Sequence, residues 1–362
     1  MIQKSIGTKA KRSTLFSMIA WLGLLFIPFS TALPGDGIVT KDYFLNHQSI
    51  EPIYKAKKLD PTVLIHVREV VLNGRERTAP AEGKVLLLTH GAATAGYIGF
   101  DGGCENCSMM RYFAQAGWDV FTLDYENFGM SSFSPVMDHP SWYPDETPTT
   151  TEVAVSDITR VVDFIRNLRG VEKVSLLGWS FGAIKATTNY TIRYPGKVAK
   201  LVFFGGLIEG ANEKQRQLGE MFKKSKVLSI MPSYSSWIGY GTKQENLRPG
   251  AFEWFRDAVL ASDPKSGELG GQYRIPAGPL SDIYLTTTDQ FDASKITVPT
   301  LVIRAGFDSA GSTEDNKKIV ERLGSTVKKY VEIPVGGHYI FFEKSNAEFY
   351  KAIKDFLEEK AK

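Results

Sequence analysis

The sequence predicts an α/β fold with a mostly parallel central sheet flanked by helices, and three observations carry the prediction. Short apolar runs recur at Lys84–Thr89, Trp118–Leu123, Val174–Leu177, Val198–Phe204 and Val298–Ala305, the pattern of strands buried on both faces. Between them lie segments with helical spacing, clearest in Ser156–Leu168, where Ile158, Val161, Val162, Ile165 and Leu168 recur on one face. Strands alternating with helices in this way need right-handed crossovers and a parallel sheet. Third, within Lys173–Tyr194 the chain changes from strand to helix across the single turn Gly178-Trp179-Ser180-Phe181-Gly182.

The 362 residues suffice for a sizeable core and show no repeat. Net charge is +3, but residues 1–32 carry Lys4, Lys9, Lys11 and Arg12 and no acid, so the rest of the chain stands at −1. That near-neutral balance gives no electrostatic case for nucleic acid. Residues 1–32 read as an export signal: a basic start, the apolar stretch Leu15–Phe29, then small residues Ser30-Thr31-Ala32 at a cleavage site. The rival is an uncleaved membrane anchor, because the apolar stretch is nearly long enough to span a bilayer. No other stretch could span a membrane, so no stable span is expected after cleavage.

Taken in order, residues 33–60 are poorly patterned and are expected to lie along the surface as an arm. Thr62–Leu72 is rich in β-branched residues and ends in Asn73-Gly74, a strand followed by a turn. His66 within it reads as structural. Lys84–Thr89 leads into His90-Gly91-Ala92-Ala93. The only cysteines, Cys104 and Cys107, are three apart. In an exported protein that spacing reads as a local disulfide, and no further Cys or His pair completes a zinc site. Met109–Gln115 is a short helix closed by Gly117, with the strand Trp118–Leu123 after it. Beyond Val198–Phe204 the alternation stops and aromatics cluster: Phe222, Tyr234, Trp237, Tyr240, Phe252, Trp254 and Phe255. Most of these are expected to form a small core of their own, and a few to line an apolar pocket. The alternation resumes at Val298–Ala305, followed by Gly306-Phe307-Asp308. Helical spacing returns over Thr313–Leu323, then the strand Lys329–Ile333, Gly336-Gly337-His338 and a closing helix, Asn346–Leu357.

Gly178-Trp179-Ser180-Phe181-Gly182 has the form G-x-S-x-G, and a strand before it with a helix after it makes it a nucleophile elbow. Such a turn exposes the serine Oγ. Glycines at its two ends allow backbone to pass closely. Phe181 begins the helix, so its N–H points to where an oxyanion would form. Asp308 and His338 each follow a buried strand, so all three side chains converge at one sheet edge. The order is nucleophile, acid, base. His338 would take the Ser180 proton and return it to the leaving group, with Asp308 holding the imidazole.

On these motifs residues 62–362 resemble the α/β-hydrolase superfamily. Asp124–Ser131 is similar to its D-x-R-G-x-G-x-S stretch, with Glu126 and Asn127 in place of Arg-Gly. The resemblance implies a second oxyanion donor after the strand that ends in His90-Gly91. The Ala92 N–H is the candidate, with that of Ala93 close behind and His90 supporting the loop. It also implies that residues 207–293 are a mainly helical cap inserted between strands 6 and 7, with 33–206 and 294–362 as the two parts of the core. Glu209, just after the sixth strand, is a rival for the acid. A serine nucleophile points away from dehalogenases and epoxide hydrolases. Hydrolysis of a small, uncharged apolar ester is the first expectation, with no cofactor and no metal. A lipase on longer acyl chains, a proline-releasing serine aminopeptidase and a non-catalytic binding protein on the same scaffold are the alternatives.

Overall fold

A computed structural model describes residues 30–32, 37–76, 83–142 and 147–360. The expected export signal lies outside these residues except for its last three. In chain order the strands are β1 (Ser30–Ala32), β2 (Ile38–Gln48), β3 (Thr62–Leu72), β4 (Val85–Thr89), β5 (Asp119–Leu123), β6 (Val174–Trp179), β7 (Val198–Phe204), β8 (Val227–Ile230), β9 (Tyr273–Pro276), β10 (Thr300–Ala305) and β11 (Lys328–Ile333). The helices are α1 (Pro52–Lys57), α2 (Gly96–Phe100), α3 (Met109–Gln115), α4 (Thr151–Arg169), α5 (Thr188–Arg193), α6 (Glu213–Ser225), α7 (Tyr234–Gly239), α8 (Ala251–Ser262), α9 (Gly278–Leu285), α10 (Thr313–Arg322) and α11 (Asn346–Glu358).

Nine strands form one sheet in the order β1-β2-β3-β5-β4-β6-β7-β10-β11. Pairing is antiparallel from β1 to β5 and parallel from β5 to β11. Every residue of β4, β5, β6 and β10 is buried, which is why these strands read as continuous apolar runs. On α4, Ile158, Val161, Val162 and Ile165 face the core as the spacing predicts, whereas Leu168 in the last turn is exposed. Gly170 closes the helix at φ 63°, a left-handed cap.

Of residues 33–60, the described part, 37–60, is not the surface arm expected of it. β2 pairs with β3 along its whole length, from Ile38–Leu72 to Gln48–Thr62, and α1 follows. Such a strand, close to the sheet edge, needs only part of its surface buried. Its apolar anchors are Ile38, Val39 and Leu45, and its Asp42 finds partners. The Asp42 carboxylate accepts from Arg68 Nε at 2.9 Å, and its oxygen lies 2.9 Å from His66 Nε2. Pairing across the sheet decided this strand, with little amphipathic signal to announce it.

The chain leaves the sheet after β7 and returns at β10. Between them α6, α7, α8 and α9 are joined by a two-stranded antiparallel pair, β8 with β9, which the sequence did not announce.

Candidate active site

Ser180 stands at the end of β6 with φ +56°, in the left-handed region, at a cost of roughly 1–3 kcal/mol for a residue with a Cβ. Its surroundings hold it there. The Ser180 N–H donates to Phe204 O on β7 at 2.9 Å, and Ser180 O accepts the Ile184 N–H at 2.8 Å. A Cβ at Gly178 would sit 2.7 Å from Ala183 Cα, and one at Gly182 would sit 2.5 Å from Thr89 O. Both glycines are therefore demanded by close backbone passage. Phe181 is already helical, and Gly182–Thr187 is wound as a π-helix before α5 begins, a winding often found at functional sites.

Asp308 and His338 are brought together from the loops after β10 and β11. His338 Nδ1 lies 2.9 Å from Asp308 Oδ2 and 3.1 Å from Oδ1, with both side chains buried. Asp308 Oδ1 also accepts the Ala310 N–H at 2.8 Å. Arg304, on β10, ties that loop in place by donating to Gly311 O, Gly306 O and Asp308 O at 3.0, 2.9 and 3.0 Å. The His338 N–H donates to Tyr240 O at 3.0 Å, and the Gly337 N–H to Glu343 Oε1 at 2.8 Å. Burial pushes the Glu343 carboxyl up from its ordinary range. The rival acid Glu209 is elsewhere: its exposed carboxylate pairs with Lys318 at 2.6 Å.

The loop after β4 lies against the serine. A Cβ on Gly91 would be 3.0 Å from Ser180 Cβ, and Ala92 lines the same cavity as Ser180 and His338. His90 braces the loop: Nδ1 donates to Gly91 O at 2.8 Å, while Nε2 accepts the Tyr125 N–H at 3.1 Å. Complete burial pushes its pKa down to about 4, so the ring is neutral. Tyr273, on β9, reaches back to donate to Ala93 O at 3.1 Å. Cys104 and Cys107 are joined in a disulfide as expected, on a loop that does not line the cavity. Among the described residues no hydrogen bond joins Ser180 Oγ to the His338 ring.

The cavity over Ser180 has a volume of 280 Å³. Of the seven clustered aromatics, Trp237, Tyr240 and Phe255 line it. The other four do not: Tyr234 stacks on Phe252 at 3.9 Å, and Phe222 packs on Tyr284 at 5.8 Å. Sequence reasoning missed Tyr273, Tyr284 and Tyr339, which complete the wall. Only Tyr339 carried a signal, its adjacency to His338. Among the described residues no Asp, Glu, Lys or Arg lines the cavity. Among the described residues no group of His, Cys, Asp and Glu able to hold a metal converges on it.

In comparison with known proteins, the family described as serine aminopeptidase, S33 matches residues 98–345. No curated protein matches the chain. Among solved structures, a thermophilic esterase from Thermogutta terrifontis superposes with a TM-score of 0.60 at 16% identity, covering 87% of this chain and 98% of its own. An esterase from Exiguobacterium antarcticum gives 0.59 at 16% identity, covering 88% and 100%. A hydrolase from Pseudomonas aeruginosa gives 0.56 at 17% identity, covering 87% and 98%. At such identities these likenesses speak for the fold.

Proposed function

Because the chain belongs to the serine aminopeptidase S33 family of the α/β-hydrolase superfamily, we propose that it is an exported serine hydrolase that cleaves uncharged carboxylic esters through an acyl-enzyme on Ser180. Asp308 occupies His338 Nδ1 at 2.9 Å, which leaves Nε2 to take the Ser180 proton as Oγ bonds to the ester carbonyl carbon. The Phe181 and Ala92 N–H groups receive the developing oxyanion, where losing one donor typically costs about 3 kcal/mol. The C–O bond then breaks and His338 returns the proton to the departing alcohol. Water, deprotonated by the same nitrogen, releases the acid and restores the serine. Residues 207–293 serve as the cap, and residues 1–32 direct export.

One observation carries the choice of substrate: among the described residues the cavity wall contains no carboxylate and no cationic side chain other than what His338 can become. The family's description favours a second reading, an aminopeptidase. A substrate ammonium buried here would lack the partner that makes such burial tolerable, and Glu209, Glu245, Glu253 and Glu268 all lie outside the wall. An apolar acyl or alcohol group of short to medium length is instead stabilised by about 25 cal/mol per Å² removed from water. The test is kcat/KM for a medium-chain nitrophenyl ester against prolyl-nitroanilide. The ester is expected to be the better substrate by orders of magnitude; a better anilide establishes the aminopeptidase.

A further inference from the structure

Three carboxylates cluster away from the cavity, between the β2–α1 connection, the loop after β5 and α4. Glu51, Glu126 and Asp157 are 4%, 0% and 0% exposed. Among the described residues no lysine or arginine pairs with any of them, and burying uncompensated carboxylates together is costly. Glu51 is satisfied by neutral donors: its Oε1 accepts from Asn127 Nδ2 at 2.7 Å and from the Thr149 N–H at 2.9 Å.

Glu126 and Asp157 are arranged differently. Each has one oxygen anchored and the other without a hydrogen bond. Ser49 Oγ donates to Glu126 Oε2 at 2.7 Å, and the Glu126 N–H donates to Asp157 Oδ2 at 3.0 Å. Glu126 Oε1 and Asp157 Oδ1 are fully buried and have no hydrogen-bond partner. Asp157 Oδ1 lies 3.5 Å from His47 Nε2, and one ligand atom from each of His47, Glu126 and Asp157 lies within 4.8 Å of the others. Carboxylates anchored through one oxygen with the other left open are how ligands are held by an outer layer of hydrogen bonds. His47 is partly buried, and its Nε2 also lies 3.1 Å from Ser156 Oγ, a contact that a bound cation would replace. A proton would satisfy one of these oxygens, whereas a cation satisfies both at once, with the imidazole beside them as a third ligand.

We propose that His47, Glu126 and Asp157 bind a divalent first-row transition cation, with Zn²⁺ suited to one imidazole and two carboxylates. The ion would pin β2 to α4 and to the loop that follows β5. The proposal does not depend on the ester reading, since none of the three residues lines the cavity.

The test is calorimetric titration of Zn²⁺ into the chelator-treated full-length protein, with thermal melts alongside. One ion should bind per chain, and at about a hundredfold excess over Kd the Tm should rise by about 5 °C. Co²⁺ should give visible absorption bands in the wild type. His47→Gln and Glu126→Gln should each abolish the heat, the Tm rise and the bands, while ester turnover stays at its wild-type value. A cooperative melt shows which variants are folded, and either folded variant decides the matter. The absence of binding heat and Tm rise in folded wild type overturns the site, as does undiminished binding in a folded variant.

Discussion

Tyr240 holds His338 in two ways: its carbonyl accepts the His338 N–H at 3.0 Å, and its ring stacks on the imidazole at 5.2 Å. A residue of the segment inserted between β7 and β10 thus positions the proposed base. Tyr240→Ala keeps the backbone bond and loses the stacking face. It should lower kcat by about tenfold through looser imidazole orientation, while Tyr240→Phe stays within about twofold. Steady-state kinetics on a nitrophenyl ester checks both, and wild-type kcat in Tyr240→Ala would remove the positioning role.

Ser180→Ala and His338→Ala should each lower ester turnover by at least about 10⁴-fold, since the nucleophile and its base act as a unit. The fold should survive both changes, because the backbone bonds of Ser180 to Phe204 and Ile184 do not use its hydroxyl. A fluorophosphonate probe should label wild type at Ser180 and leave Ser180→Ala unlabelled. Activity above a few per cent in either mutant would contradict the assignment.

Asp308→Asn should lower kcat by about 10³–10⁴-fold by disturbing the imidazole tautomer. Glu209→Gln should be nearly silent, because its exposed carboxylate pairs with Lys318 at the surface. If Glu209→Gln proves the more damaging, the acid is misassigned.

Lys185, in the π-helix after Ser180, reaches across to Thr286 Oγ1 at 2.8 Å and Gln290 O at 3.1 Å. Burial lowers its pKa from 10.5 to about 8. Between those values the unfolded chain binds more protons than the folded one, so stability rises with pH across that window. The cost is present in full below pH 8 and relieved as pH approaches 10.5. Relative to Lys185→Met, wild type should therefore gain up to about 3 kcal/mol over this range, whatever the offset at neutral pH. Urea melts at several pH values measure it, and a constant difference would show that the ammonium is well solvated.

The elbow was legible in sequence because its causes are local. The run ending at Trp179, the two glycines and the helix-forming residues beyond them determine one turn with little help from the rest of the chain. The same holds for β4, β5, β6 and β10, whose burial on both faces leaves an unbroken apolar run, and for Asp308 and His338, which mark the ends of β10 and β11. The resemblance built on these motifs extended that reading to residues 62–362, and the family match over 98–345 agrees with it.

Where partners are distant in the chain, sequence fell silent. β2 is a strand because β3 lies beside it, and its own pattern mixes apolar and charged residues. Tyr273 and Tyr284 become cavity wall only when the inserted segment folds back over β6 and β7. His47, Glu126 and Asp157 come from a strand, a loop and a helix, and each alone is an ordinary polar residue. Sequence by itself determined the sheet's core, the serine turn and the order of the proposed acid and base, because backbone conformation and burial on both faces leave marks at short range. Tertiary structure alone decided what surrounds them, because contact between distant segments leaves no periodicity to read.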